Sequence, residues 1–347
     1  HEFVAWLDKS LGKLAGKQAF LGFDGFIDRV YAIAGLPGMD AFADYLKQRQ
    51  GRSGGLELLH KGTKLGGNMP ITAHALGSLG VSCACVGSLG QGQADPIFAG
   101  MSPNCRLTAI VAPGDSHVLE FDTGKLMMAD NSSLPGLDFA AITGQVGVDA
   151  LIRLHREAQA IAYLNWSELP GMPDIFRGLL DRVYPALEQG DSPLLLDFSD
   201  CSQRPDSQVL EALGMMGRFS AWRRTVLSMN WNEFLHISGS VLKLSPREDA
   251  PFAAMEGLRN HSGIREVVMR TDHVAYALGE KGQARVPILR VARPALLTGA
   301  GDNYNAGMLC ALMLGASWEH VLVMGTLTAS HYIQHGHSAS PAELMAY

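Results

Sequence analysis

Apolar residues recur along the chain in two rhythms, one helical and one extended. Val4, Leu7, Leu11 and Leu14 stand at helical spacing and predict a helix over about 3–16. The short run Gln18 to Phe23 predicts a strand that enters a turn at Asp24-Gly25. A helix starting near Asn68 carries Ile71, Ala75, Leu76 and Leu79 on one face; Gly80 ends it, and 81–86 reads as the next strand. Residues 105–130 lack helix-length segments and read as a small antiparallel meander. From about 137 onward the two rhythms alternate. Strands are predicted at 160–164, 194–198, 225–229 and 266–270, with helices near 172–188, 206–217 and 231–242 between them. A patch of strand character covers 273–291, and helices follow over about 302–314 and 317–335. Such alternation predicts an α/β fold: a mostly parallel sheet with helices on both faces, and the meander as an inserted sheet, a lid.

Composition narrows the function classes. Of 347 residues 47% are hydrophobic and 18% charged, with a net charge of −6. That apolar share is ample for a core and excludes a disordered chain. A mildly acidic chain without a basic stripe argues against nucleic acid as a partner. No run of about 18 apolar residues appears, so no membrane partner is expected. The first 17 residues lack a signal-peptide core. The cysteines (Cys83, Cys85, Cys105, Cys201 and Cys310) are odd in number and form no C-x-x-C pair, as reduced thiols of a cytoplasmic protein would. Met127, Met128, Met215, Met216 and Met229 read as core filler. The 39 glycines, well above the usual share of about 7%, need a use.

In open α/β sheets ligands bind beyond the carboxyl ends of the strands. Small or polar residues stand at each such end: Asp24 and Asp28, then Gly66-Gly67-Asn68, Asn165, Asp197, Asn230 with Glu233, and finally Thr298-Gly299-Ala300-Gly301-Asp302 opening a helix. Glycines there let backbone N–H groups face an oxyanion, and the helix N-terminus adds its positive dipole end. Asp302 is placed to be the helix N-cap or a general base beside a phosphate. Other phosphate and hydrolase signatures fail on spacing. Gly12 to Gln18 is one residue short of a Walker A loop, and neither Gly90/Gly92 nor Gly299/Gly301 has the third glycine of a dinucleotide fingerprint. No G-x-S-x-G elbow or H-E-x-x-H helix is present. His331 and His335 have i, i+4 spacing, but no third ligand in register completes a metal set, so they read as a packed or solvated helix end.

From about residue 18 to 345 the chain resembles the ribokinase-like (PfkB) carbohydrate kinase family. Gly66-Gly67-Asn68 with the following helix is similar to its N-terminal signature, Gly299-Ala300-Gly301-Asp302 to its C-terminal signature, and Asn230-Trp231-Asn232-Glu233 to its N-x-x-E motif. The resemblance implies a three-layer α/β/α sandwich, with a core of 1–27, 65–104 and 131–347 and a β lid of 28–64 and 105–130 over the substrate. It implies a kinase that moves the γ-phosphate of ATP, with Mg²⁺, to a hydroxyl of a sugar or nucleoside. Asp302 would be the base, and the backbone of Gly299, Ala300 and Gly301 the anion hole. Asp28, and with it Asp24, Gly66, Gly67 and Asn68, would hold the acceptor; Asn165, which follows a strand, reads as a loop cap or, with Trp166, as lining of the acceptor pocket. Asn230 and Glu233 would organise magnesium and phosphate through water, with no direct metal ligand. Leu296-Leu297 stands where the family has Asp-Thr, which makes a monovalent-cation site doubtful, and Arg270-Thr271-Asp272 replaces its Thr-x-Gly nucleotide motif. Lys125 and Arg270 are the candidate cations over the phosphates. Those departures keep a second reading in view, a degenerate kinase homologue that binds a metabolite. A Rossmann-type oxidoreductase is the third, disfavoured by the missing glycine. The sequence leaves the oligomeric state open; the exposed edges of a lid sheet are ones that a partner subunit of a homodimer could cover.

Overall fold

The computed structural model describes residues 2–347. Its strands are β1 (Gln18–Phe23), β2 (Phe26–Ile33), β3 (Leu58–Gly66), β4 (Ser82–Gly87), β5 (Cys105–Ala109), β6 (Gly114–Phe121), β7 (Gly124–Asp130), β8 (Ala160–Tyr163), β9 (Pro193–Asp197), β10 (Arg224–Asn230), β11 (Glu266–Arg270), β12 (Val274–Gly279) and β13 (Gly282–Pro287). Among the described residues they form two sheets, one of nine strands in the order β13-β12-β11-β10-β9-β8-β1-β4-β5 and one of four in the order β3-β2-β6-β7. The large sheet is parallel from β5 to β11, and β12 and β13 close it as an antiparallel edge.

The central strands β1, β8 and β9 are nearly continuous apolar runs because both faces are covered. Leu194 and Leu196 of β9 enter one core with Phe20, Tyr163, Leu227 and Met269. Leu195, between them, enters the other with Leu21, Ala162, Val226 and Val268. Helices Phe139–Val146, Val148–Glu157, Met172–Arg182, Asp206–Arg218 and Phe252–Ser262 cover the first face. Helices Asn68–Ser78, Ala300–Met313 and Trp318–His335 cover the second. The result is the expected three-layer α/β/α sandwich. β1 lies between β4 and β8, so the chain leaves it first toward one edge of the sheet and then toward the other. This switch point opens a crevice at the carboxyl end of β1, where Asp24 stands. Among the described residues no helix is long and apolar enough to cross a membrane.

Several local expectations change. The meander over 105–130 does not hold as drawn: Cys105–Ala109 pairs in parallel with β4 in the large sheet. Its alternate residues Cys105, Leu107 and Ala109 pack on the large core. The small sheet takes only β6 and β7 from that region, and β6 runs parallel to β2, a pairing that local turn signals cannot reveal. The segment 231–242 is one α-turn, Trp231–Phe234, that widens into a π-helical stretch, Leu235–Val241. Met215, Met216 and Met229 are buried, but Met127 and Met128 lie on β7, about half exposed. They are neighbours on an outer strand of the small sheet whose residues are all exposed.

Candidate active site

The helix Ala300–Met313 begins where Gly299 takes a left-handed backbone, φ 91°. A β-carbon at Gly299 would lie 2.8 Å from the Tyr332 hydroxyl, so glycine is required there by conformation and by space. Gly299 is thus the N-cap residue, and Asp302 is the third residue of the helix; the N-cap alternative for Asp302 is corrected. Among the described residues no other residue donates to the Asp302 side chain, which keeps 8% exposure. Burial, then the fields of Asp197 and Asp24, push its carboxyl well above the ordinary range, and Arg270 opposes them. The Ala300 N–H donates to the Leu297 carbonyl at 3.2 Å. The Gly299 and Gly301 amides carry no protein acceptor among the described residues, so they, more than Ala300, are free to meet an anion.

The loop before this helix separates two cavities. The larger, about 670 Å³, is lined by Ala300, Gly301, Arg270, Tyr304, Asn230 and Trp231 among others. The smaller, about 200 Å³, is lined by Asp28, Lys64, Ile71, Thr298, Tyr332 and His337 among others. Asp28 projects from β2 of the small sheet, and its carboxylate lies flat on Gly66, where a β-carbon would stand 2.3 Å from Oδ1. Burial raises the Asp28 carboxyl, and Lys64 and Lys125 counter it. Lys125 of β7 reaches across to donate to Thr298 Oγ1. Burial and Lys64 lower the Lys125 ammonium, while Asp28, Glu120 and Asp302 hold it up. The small sheet, the loop and Asp302 therefore share one electrostatic site.

Asp24 and Asn165 sit differently from the expectation that they touch the acceptor. Asp24 is fully enclosed and accepts from Asn68 N at 2.7 Å, Met69 N at 2.8 Å and Asn165 Nδ2 at 2.9 Å. It caps the helix Asn68–Ser78 from a strand end 44 residues earlier in the chain. Desolvation still pushes its carboxyl up to about 6. Asn68 Nδ2 donates to Ser199 Oγ at 2.7 Å, beside Gly67 at the helix start. Asn165 and Ser199 both adopt a left-handed backbone, φ 58° and 57°, at the ends of β8 and β9.

Asn230 and Glu233 form a reciprocal capping box: Glu233 N donates to Asn230 Oδ1 at 3.0 Å, and Asn230 N to Glu233 Oε2 at 2.9 Å. Burial and Asp197 raise Glu233 to about 7. Asp197, at the end of β9, accepts from Asn305 Nδ2 at 3.0 Å, and Asn305 Oδ1 accepts from Ser228 Oγ at 2.7 Å. Asn305, Ser228 and Tyr332 escaped the motif reading. For Asn305 a signal existed, since it lies one helical turn beyond Gly301 on the same helix. The rings of His331, His335 and His337 pack together, tilted or edge-on, at separations of 4.5–6.1 Å. Among the described residues no group of His, Cys, Asp or Glu is arranged to hold a metal ion.

Comparison with known proteins agrees with this architecture. The family description "Prokaryotic ketohexokinase" matches residues 8–347. A ketohexokinase of Haloferax volcanii is 29% identical over 348 residues, 96% of this chain and 92% of that protein. The solved ribokinase of Arabidopsis thaliana, complexed with ribose and ATP, superposes with a TM-score of 0.68 at 16% identity, covering 96% of this chain and 99% of that one. The adenosine kinase of Sinorhizobium meliloti superposes with a TM-score of 0.65 at 18% identity, covering 95% and 99%. The structural likenesses establish the ribokinase-like fold, and the match over nearly all of the sequence establishes more: this chain belongs to the prokaryotic ketohexokinase family of PfkB-like carbohydrate kinases.

Proposed function

We propose that the protein transfers the γ-phosphate of ATP to a hydroxyl of a ketohexose, with Asp302 as the general base. The observation that carries this reading is Asp302 itself. It is a buried carboxylate with no donor from another side chain, on a glycine-opened helix between a large cavity and a small one. The larger cavity takes the nucleotide, with its phosphates toward Gly301. The smaller, beneath Asp28 and the small sheet, takes the sugar. A carboxylate raised in pKa gains from accepting a proton, so Asp302 draws the hydrogen from the attacking hydroxyl as its oxygen bonds to the γ-phosphorus. The free amides of Gly299 and Gly301 and the helix dipole stabilise the charge on the transferring group. Asp28 accepts hydrogen bonds from the sugar hydroxyls, with Gly66, Gly67 and Asn68 shaping the floor beside it. Asp24 and Asn165 serve by holding the helix that carries Asn68.

Magnesium, arriving with the nucleotide, would neutralise phosphate charge. It keeps several waters in such sites, which suits Glu233 and Asn230 as partners through water. The two Leu residues at 296 and 297 give a monovalent cation no side-chain oxygen. The small sheet, with the segments 28–64 and 114–130, acts as the lid, and Lys125 bridges it to the core loop. A second copy covering Leu58, Met127 and Met128 would account for their exposure, giving a homodimer that light scattering tests directly.

The test is ADP release with a panel of ketohexoses, aldohexoses, pentoses and nucleosides. A ketohexose is expected to give the highest kcat/KM. A metabolite-binding homologue without turnover would show a thermal shift with sugar and none with Mg-ATP.

A further inference from the structure

Arg270 ends β11, and its side chain lines the larger cavity next to Gly301. Its guanidinium lies 4.6 Å over the ring of Tyr304, which fixes the plane. Nη1 donates to Ser228 Oγ at 3.1 Å and Asn305 Oδ1 at 3.3 Å. Asn305 in turn is oriented by its amide bond to Asp197. Nη2 is 3.2 Å from where a β-carbon on Gly301 would stand, and among the described residues it donates to no protein acceptor.

The charge is also unpaired. Among the described residues no carboxylate comes within 4.0 Å of this guanidinium. Arg224 is locked to Glu266 at 2.6 Å, and Arg223, also buried, spends Nη1 and Nη2 on the carbonyls of Glu188, Trp222 and His155. Partly buried arginines are normally paired, and an oriented but unpaired fork with donors to spare matches a phosphate. It stands beside the free amides at the helix start, where an anion is favoured again.

Resting on the kinase reading above, we infer that Arg270 is the fixed cation that binds the phosphate groups of the donor, so that the larger cavity selects a nucleoside polyphosphate over its nucleoside. The nearby carboxylates feel the same charge: Arg270 lowers Asp302, Asp197 and Glu233 against their burial.

Titration of ADP and of adenosine into the wild type, Arg270→Gln and Arg270→Lys tests the assignment. ADP affinity is expected to fall on the order of 10- to 100-fold in Arg270→Gln and less in Arg270→Lys, with adenosine affinity and the ketose KM unchanged. The acidic limb of the kcat–pH profile should move upward in Arg270→Gln, which loss of packing alone would not produce. Wild-type ADP affinity in Arg270→Gln, or equal losses for ADP and adenosine, overturns the assignment while ketose phosphorylation by the wild type keeps the kinase reading. A wild type that binds neither ADP nor ATP overturns both.

Discussion

The hydroxyl of Tyr332 donates to the carbonyl of Thr298 at 2.8 Å, and this one bond ties the last long helix to the loop that presents Gly299, Gly301 and Asp302. Burial raises the phenol well above its ordinary value, so it stays a donor at working pH. Tyr332→Phe removes the tie and little volume. We expect kcat to fall about tenfold, with a stability loss of about 0.5–1.5 kcal/mol, checked by steady-state kinetics and urea unfolding.

Asp24→Ala strands three donors at a fully buried position: the amides of Asn68 and Met69 and the amide group of Asn165. A loss of about 2–4 kcal/mol is expected, from a missing cap plus unsatisfied buried groups. Denaturant midpoints measure it. A loss confined to activity would mean that Asp24 belongs with the substrate after all.

Asp302→Asn should separate stability from activity. Its folded pKa is raised, so its contribution to stability is complete below the unfolded carboxyl pKa and disappears as pH rises through the folded one. Above the unfolded carboxyl pKa the group therefore weighs against the fold, and the Asn variant should unfold at higher urea than wild type. The gap should close as pH falls toward the unfolded carboxyl pKa. Activity should drop on the order of 10²–10⁴-fold. In the wild type the acidic limb of kcat should lie above the ordinary carboxylate range.

Lys125 of the small sheet reaches the loop before Gly299 through Thr298 Oγ1. Lys125→Met keeps the stem and removes the charge. The ketose KM should rise about tenfold, as expected for one charge-assisted contact, while ADP affinity changes less. Parallel sugar and nucleotide titrations distinguish a lid role from a nucleotide role.

Much of the large sheet was legible because β1, β8, β9, β10 and β11 are short apolar runs bounded by turn residues, and burial on both faces leaves no other use for them. The small sheet was less so. Its strands carry one covered face or none, and β2 finds β6 in parallel across 88 residues, as in Phe26 opposite Gly114, which no local pattern encodes. The same logic holds in the site. Gly299 to Asp302 could be found because a helix start needs those residue types in sequence. The roles of Asp24, Asn305 and Tyr332 come from partners far along the chain: Met69, Asp197 and Thr298. Residue type alone made Asp24 look like a ligand contact, when its surroundings make it a cap.

The central claim, ATP-dependent phosphorylation of a ketohexose with Asp302 as base, is tested most directly by following the sugar. Wild type and Asp302→Asn are incubated with Mg-ATP and D-fructose, and ³¹P spectra are recorded. The account predicts a new sugar phosphomonoester resonance with stoichiometric ADP for the wild type, and none on the same timescale for Asp302→Asn at unchanged ADP affinity. Wild-type rates of sugar phosphate formation in Asp302→Asn, or ADP formed by the wild type without any sugar phosphate, would contradict it.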